Sequence, residues 1–242
     1  MASTAMTFRI QPGMTPSAID FAEEVLGPRR AEHDASRAKL GITRERVWVE
    51  NTNAGDMLVF YFEGDDLDVA MSMLGESNSM HDLWFREKMF AVTGSDWCDF
   101  RQVKPSELVF ESPPRPPEEE AGAVTLVLPV LPGETREMRE LLAALAGPRA
   151  EDYGGFLSRY DLWQVRMFLQ HRDGGDTVIM YVEGREPGAA IASFARSSQP
   201  FDAWLREELL KINGTDYIRR QTAPAPHLIL DWRAPVAGEK AA

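Results

Sequence analysis

HDLWFREK at positions 81–88 returns as FDAWLREE at positions 201–208. Asp82, Trp84, Arg86 and Glu87 thus recur 120 positions later as Asp202, Trp204, Arg206 and Glu207. The same offset holds along the chain without a gap. Pro12-Gly13 recurs as Pro132-Gly133, Gly27-Pro28-Arg29 as Gly147-Pro148-Arg149, and Gly55-Asp56 as Gly175-Asp176. The block Tyr61-x-Glu63-Gly64 recurs as Tyr181-x-Glu183-Gly184, and Gly94-x-Asp96 as Gly214-x-Asp216. One register kept across so many separate blocks is the signature of a tandem duplication. The reading gives repeats at 7–111 and 124–232, a linker at 112–123 made extended and solvated by its prolines and glutamates, and a loose tail at 233–242.

Within each copy the hydrophobic period changes in a fixed order. Thr7–Gln11 and Thr125–Leu131 read as short strands ended by Pro-Gly. A helical stripe through Ile19, Ala22, Val25 and Leu26 breaks at Gly27-Pro28, where glycine suits a helix end and proline a new first turn. RVWVE and VRMFLQ alternate as strands, a Gly-Asp loop turns the chain, and MLVFYFE and TVIMYVE return. The repeated stretch falls on a second helix ended by Gly94 or Gly214, with Ser79 as its N-cap. On that helix Asp82 and Arg86 stand at i and i+4, the spacing of an intrahelical ion pair. A last strand, ELVFE or HLILD, closes each unit. The order β-α-β-β-α-β is the ferredoxin-like arrangement, and the fold class is α+β.

The chain has 242 residues and a net charge of −12. Such a charge repels a phosphate backbone, which argues against nucleic acid as a partner. There is neither an apolar run long enough to span a bilayer nor a signal-peptide pattern at MASTAMTFRI, so the expectation is a cytoplasmic protein without a membrane partner. The single cysteine, Cys98, forms no internal disulfide, and its neighbours Asp96 and Asp99 disfavour a reactive thiolate.

Two ungapped copies, each with a Gly-Asp hairpin, a Tyr-x-Glu-Gly strand end and a Trp-bearing second helix, resemble the dimeric α/β-barrel superfamily. The closest resemblance is to its small, functionally uncharacterised bacterial members, here in a tandem, single-chain form. The resemblance implies an intramolecular, pseudo-dimeric barrel that is a monomer or weak homodimer. The superfamily includes cofactor-free monooxygenases, cyclases, mutarotases, heme proteins and stress-response proteins, so fold analogy does not choose a reaction.

Side chains two apart on a strand share a face. Arg46, Trp48 and Glu50 therefore lie together, as do Met57, Val59, Tyr61 and Glu63, while Val47, Val49, Leu58, Phe60 and Phe62 form the opposite, apolar face that packs on helices. A turn at Asn53-Ala54 sets Arg46 opposite Tyr61 and, in the other copy, Arg166 opposite Tyr181. In a two-sheet barrel the mixed face lines the space between sheets. Arg46, Tyr61, Glu63, Arg166, Tyr181 and Glu183 are then candidate catalytic groups, with Trp48, Trp84, Phe168 and Trp204 as pocket walls. Such a set could bind a carboxylate or enolate and move a proton through Tyr or Glu.

His33, His81, His171 and His227 are replaced in the other copy by Tyr153, Phe201, Asn51 and Glu107. No symmetric metal site and no metal or cofactor motif follows. Three readings stand: a cofactor-independent oxygenase, cyclase or isomerase acting on a small molecule; a non-catalytic ligand-binding or structural barrel; and a heme protein with His171 or His227 as proximal ligand.

Overall fold

The computed structural model describes residues 1–52, 55–115, 122–172, 174–216 and 225–235. In chain order the first half runs β1 (Ala2–Arg9), α1 (Thr15–Leu26), α2 (Arg30–Lys39), β2 (Ile42–Thr52), β3 (Gly55–Gly64), α3 (Leu67–Glu76), α4 (Met80–Thr93), α5 (Phe100–Val103) and β4 (Glu107–Glu111). The second runs β5 (Gly122–Pro129), α6 (Thr135–Ala146), α7 (Ala150–Arg159), β6 (Leu162–Arg172), β7 (Gly175–Gly184), α8 (Pro187–Arg196), α9 (Pro200–Asn213) and β8 (His227–Arg233). The protein is α+β, with two antiparallel four-stranded sheets of order β1-β3-β2-β8 and β4-β6-β7-β5.

The last strand of each repeat does not close its own sheet. β8 pairs with β2, setting Arg46 against Asp231, and β4 pairs with β6, setting Arg166 against Glu111. The two compact units are accordingly Met1–Pro105 with the segment from His227, and Ser106–Pro226. Such an exchange is a low-cost arrangement, because equivalent backbone edges offer the same hydrogen bonds to either strand. Strand patterning locates ELVFE and HLILD but carries no information about which edge takes them.

Other expectations shift at the boundaries. The first strands start earlier, at Ala2 and Gly122. α3 and α8 stand between the hairpin and the second helix, where the sequence pattern gives no element. Ser112 and Arg115 continue to bond β6, through Ser112 N to Val165 O and Arg115 N to Trp163 O, while Pro113, Pro114 and Arg115 are exposed and residues 116–121 of the expected linker lie outside the described residues. Arg233 is still strand, and the rest of the predicted tail lies largely outside the described residues. The break at Gly27-Pro28 is present as the gap between α1 and α2.

In the first unit the apolar face of the hairpin packs on the helices through Val47, Val49, Leu58, Phe60 and Phe62. Gly64 ends β3 because the chain closes tightly there: a Cβ would stand 2.7 Å from Gly41 O, and at Gly184 it would stand 2.6 Å from Asp161 O.

The repeated D-x-W-x-R-E is a tertiary clasp rather than an intrahelical ion pair. Arg86 donates to the carbonyls of Leu74 (2.5 Å) and Ser77 (2.8 Å), and Arg206 to those of Phe194 (2.6 Å) and Ser197 (2.8 Å), so each arginine satisfies the open end of the preceding helix. Asp82 accepts from Ser36 (2.5 Å), Ser77 (2.5 Å) and Ser79 (2.6 Å), while Asp202 accepts from Arg159 and Tyr160, both at 2.7 Å. The tryptophans take the arginine of the Gly-Pro-Arg motif: Arg29 lies 4.3 Å from the Trp84 ring and Arg149 4.2 Å from that of Trp204.

Candidate functional site

The hairpin register is the expected one, with Arg46 opposite Tyr61 and Arg166 opposite Tyr181. Tyr61 donates to Glu63 at 2.6 Å, and Tyr181 makes the same short bond to Glu183. Arg46 Nε donates to Asp231 at 2.9 Å and Arg166 Nε to Glu111 at 2.8 Å, so both arginines are clamped by a carboxylate from the exchanged strand. Tyr61, Tyr181, Trp48 and Phe168 are fully buried and Arg46 nearly so, on the sheet face turned away from their own unit's helices.

Trp84 and Trp204 do not join this group. Both pack on the helix side, Trp84 stacked on Phe21 at 5.6 Å and Trp204 against Phe201 at 5.4 Å. His171 is exposed and tied to Asp176 at 2.7 Å; His227 is exposed at the start of β8. Neither histidine borders a described cavity.

The second unit contains a feature that pattern reading missed. A cavity of ≈ 80 Å³ lies between the sheet and α6–α9, walled by Leu142, Tyr153, Met180, Phe194 and Leu205 among others. Its counterpart space in the first unit is packed with rings: Trp97 lies 5.3 Å from Phe8, 5.3 Å from Phe60 and 5.1 Å from Phe85, and Phe21 lies 5.4 Å from Phe85. At the 120-residue offset these phenylalanines become Leu128, Met180, Leu205 and Leu141, while Tyr217, the counterpart of Trp97, lies outside the described residues. Ala18 and Ala22 become Met138 and Leu142, which restores part of the lost volume. Comparing the repeats position by position for rings replaced by aliphatics would have found the site. Burial pushes the Tyr153 phenol well above its ordinary range, so it stays neutral.

In the first unit the positions matching Tyr153, Leu157, Val165 and Phe201 hold His33, Arg37, Glu45 and His81, a buried charged seam joining α2, β2 and α4. Arg37 Nε donates to Glu45 Oε2 at 2.5 Å. His33 Nε2 is 3.2 Å from the same oxygen, and His33 Nδ1 is 3.2 Å from His81 Nε2. His81 Nδ1 lies 3.6 Å from the half-exposed Glu32. Burial alone would raise the Glu45 carboxyl, but Arg37 and then His33 outweigh it and hold it at about 2. Burial, followed by the Arg37 charge, lowers both histidines, His81 to about 4.

Among solved structures, the chain is similar in fold to a protein of Fusobacterium nucleatum subsp. nucleatum described as a "Putative monooxygenase". The two are 9% identical with a TM-score of 0.52, and the match covers 96% of this chain and 93% of that one. A second similar structure is described as an anthrone oxidase-like protein, 16% identical with a TM-score of 0.47, covering 99% and 94%. At 9% identity the likeness to the first is one of fold alone. No family model matches the chain. No curated protein matches it either. Among the described residues no helix is long and apolar enough to cross a membrane.

Proposed function

We propose that this chain binds a small apolar molecule in the cavity of its second unit and is a tandem, single-chain relative of the dimeric α/β barrels. The observation that carries the reading is the cavity itself, lined by Leu128, Leu141, Met180 and Leu205 at the positions where the first copy has the interlocked rings of Phe8, Phe21, Phe60 and Phe85, and closed on its other side by Tyr153, Phe156, Tyr160 and Phe194. Close-packed interiors do not leave such a space without losing contacts, so an occupant restores what the missing rings took away. An engineered apolar cavity of about 150 Å³ accepts benzene. At ≈ 80 Å³ the space admits a single ring only when wall side chains move, and Met138, Met167 and Met180 are the residues able to do so with little loss.

The test is thermal unfolding with benzene and with indole. Binding to the folded state raises the midpoint with ligand concentration. The double variant Met180→Phe/Leu205→Phe, which restores the first repeat's residues, is expected to remain folded and lose the shift. An equal shift in that variant, or none in the native protein, would sink the reading.

A second reading, a cofactor-independent oxygenase, cyclase or isomerase, is supported by the Tyr61–Glu63 and Tyr181–Glu183 bonds, made identically in both halves. A phenol donating to a carboxylate is a ready proton path, and the arginines offer charge for an enolate. The likeness in fold to a protein described as a monooxygenase agrees with it. Oxygen uptake with a panel of phenols and quinols tests it. Tyr61→Phe, Tyr181→Phe, Arg46→Gln and Arg166→Gln should abolish turnover in at least one half; unchanged turnover in all four removes the reading. Without turnover the chain is a binding protein only. An unshifted Soret band after hemin addition removes the heme alternative.

A further inference from the structure

The charged seam of the first unit is absent from the second, where Tyr153, Leu157, Val165 and Phe201 replace it, so the fold itself does not require it. With Glu45 ionised, the proton arrangement that serves it best places hydrogen on Nε2 of His33, facing Glu45, and on Nε2 of His81, donated to Nδ1 of His33. That leaves Nδ1 of His81 as the basic atom, 3.6 Å from Glu32 at the surface. We propose that the His33–His81 pair is an acid-operated latch: neutral, it holds α2 and α4 to Glu45 on β2; protonated, it releases that seam.

The surroundings explain why one proton suffices. From α2 the pair is faced by Glu32, Asp34 and Arg37, from β2 by Glu45, and from α4 by Asp82. β8 contributes the neutral Trp232 ring, 5.4 Å from His33, and Glu24 on α1 is taken by Lys88 and Arg29. Glu45 Oε2 is already taken by Arg37, although Glu45 Oε1 has no hydrogen-bond partner, and Asp82 is occupied by three serines. An added imidazolium is a second cation beside Arg37, whose Nη2 has no partner, in a site with 0–4% exposure, and burial and that charge both oppose it. Opening hydrates both cations, and the released histidines return to ordinary basicity. Held at about 4 against about 6.5 when open, His81 alone weakens the closed state roughly 30-fold at pH 5.

The test is hydrogen exchange read by mass spectrometry at pH 7 and pH 5, corrected for intrinsic rates. Peptides from Arg30–Lys39 and Met80–Thr93 should lose protection by at least about tenfold at pH 5, while those from Ala150–Arg159 and Pro200–Asn213 serve as internal controls. The variant His33→Tyr/His81→Phe, which borrows the second repeat's residues, should abolish that difference. Equal behaviour of the two helix pairs in the native protein, or an undiminished difference in the variant, overturns the proposal. Should the variant fail to fold, imidazole titration by NMR in the native protein decides it: midpoints at or above 6.5 for both rings overturn the latch, and depressed midpoints support it.

Discussion

Arg46 Nε donates to Asp231 Oδ1 at 2.9 Å across 185 residues of chain, tying the second strand of the first repeat to the last strand of the second. The same exchange places Leu230 and Trp232, both fully buried, in the core of the first unit, with Trp232 Nε1 donating to Asp34 at 2.6 Å. Trp232→Ala should cost the first unit about 3–5 kcal/mol. Exchange protection should fall in β2 and α2, far away in sequence, and not in α9, which is closer. Loss confined to the second repeat's elements would contradict the strand exchange.

Arg86→Ala removes the donor to the Leu74 and Ser77 carbonyls and should destabilise by about 1.5–3 kcal/mol, as expected for charge-assisted bonds. Arg86→Lys should recover only part of this, because a single ammonium does not reproduce the fixed fork of a guanidinium. Denaturant midpoints check both. An Arg86→Ala protein as stable as the native one would show that the repeated motif does no structural work at this position.

Glu45 sets an acid limit. Its carboxyl is lowered to about 2 in the folded state, against 4.5 ordinarily, so its contribution is present above pH 4.5 and is lost as pH falls toward 2. His33 and His81 act in the window above: both are lowered, so the unfolded chain takes up protons first and stability falls as pH drops from 6.5 toward about 4. Denaturant unfolding at stepped pH should show both losses. Glu45→Gln should abolish the lower one and, by leaving Arg37 buried without its counter-charge, cost about 3–5 kcal/mol at pH 7. An unchanged acid profile in that variant would contradict the assignment.

The sequence made legible what depends on local period and chain punctuation. The Arg46–Tyr61 register followed from alternation and the turn position, and the α1 break from Gly27-Pro28. The destination of β4 and β8 was not legible, because equal strand edges are indistinguishable in sequence. Asp82 and Arg86 have helical spacing for an ion pair, yet each finds stronger partners across the fold, where several oxygens compete for one guanidinium. The cavity was hidden for another reason. Leu, Met and Val satisfy the same hydrophobic pattern as Phe and Trp, so a binary pattern records burial and not volume.

The proposal that a small apolar molecule binds in the second unit and not the first rests on their difference in interior volume. Xenon-pressurised crystals of the native protein test it most directly, since xenon settles in dry apolar cavities. A xenon peak is expected bounded by Leu142, Met180, Phe194 and Leu205, and none among Phe8, Phe60, Phe85 and Trp97. An empty second unit, or equal occupancy in both, would contradict it.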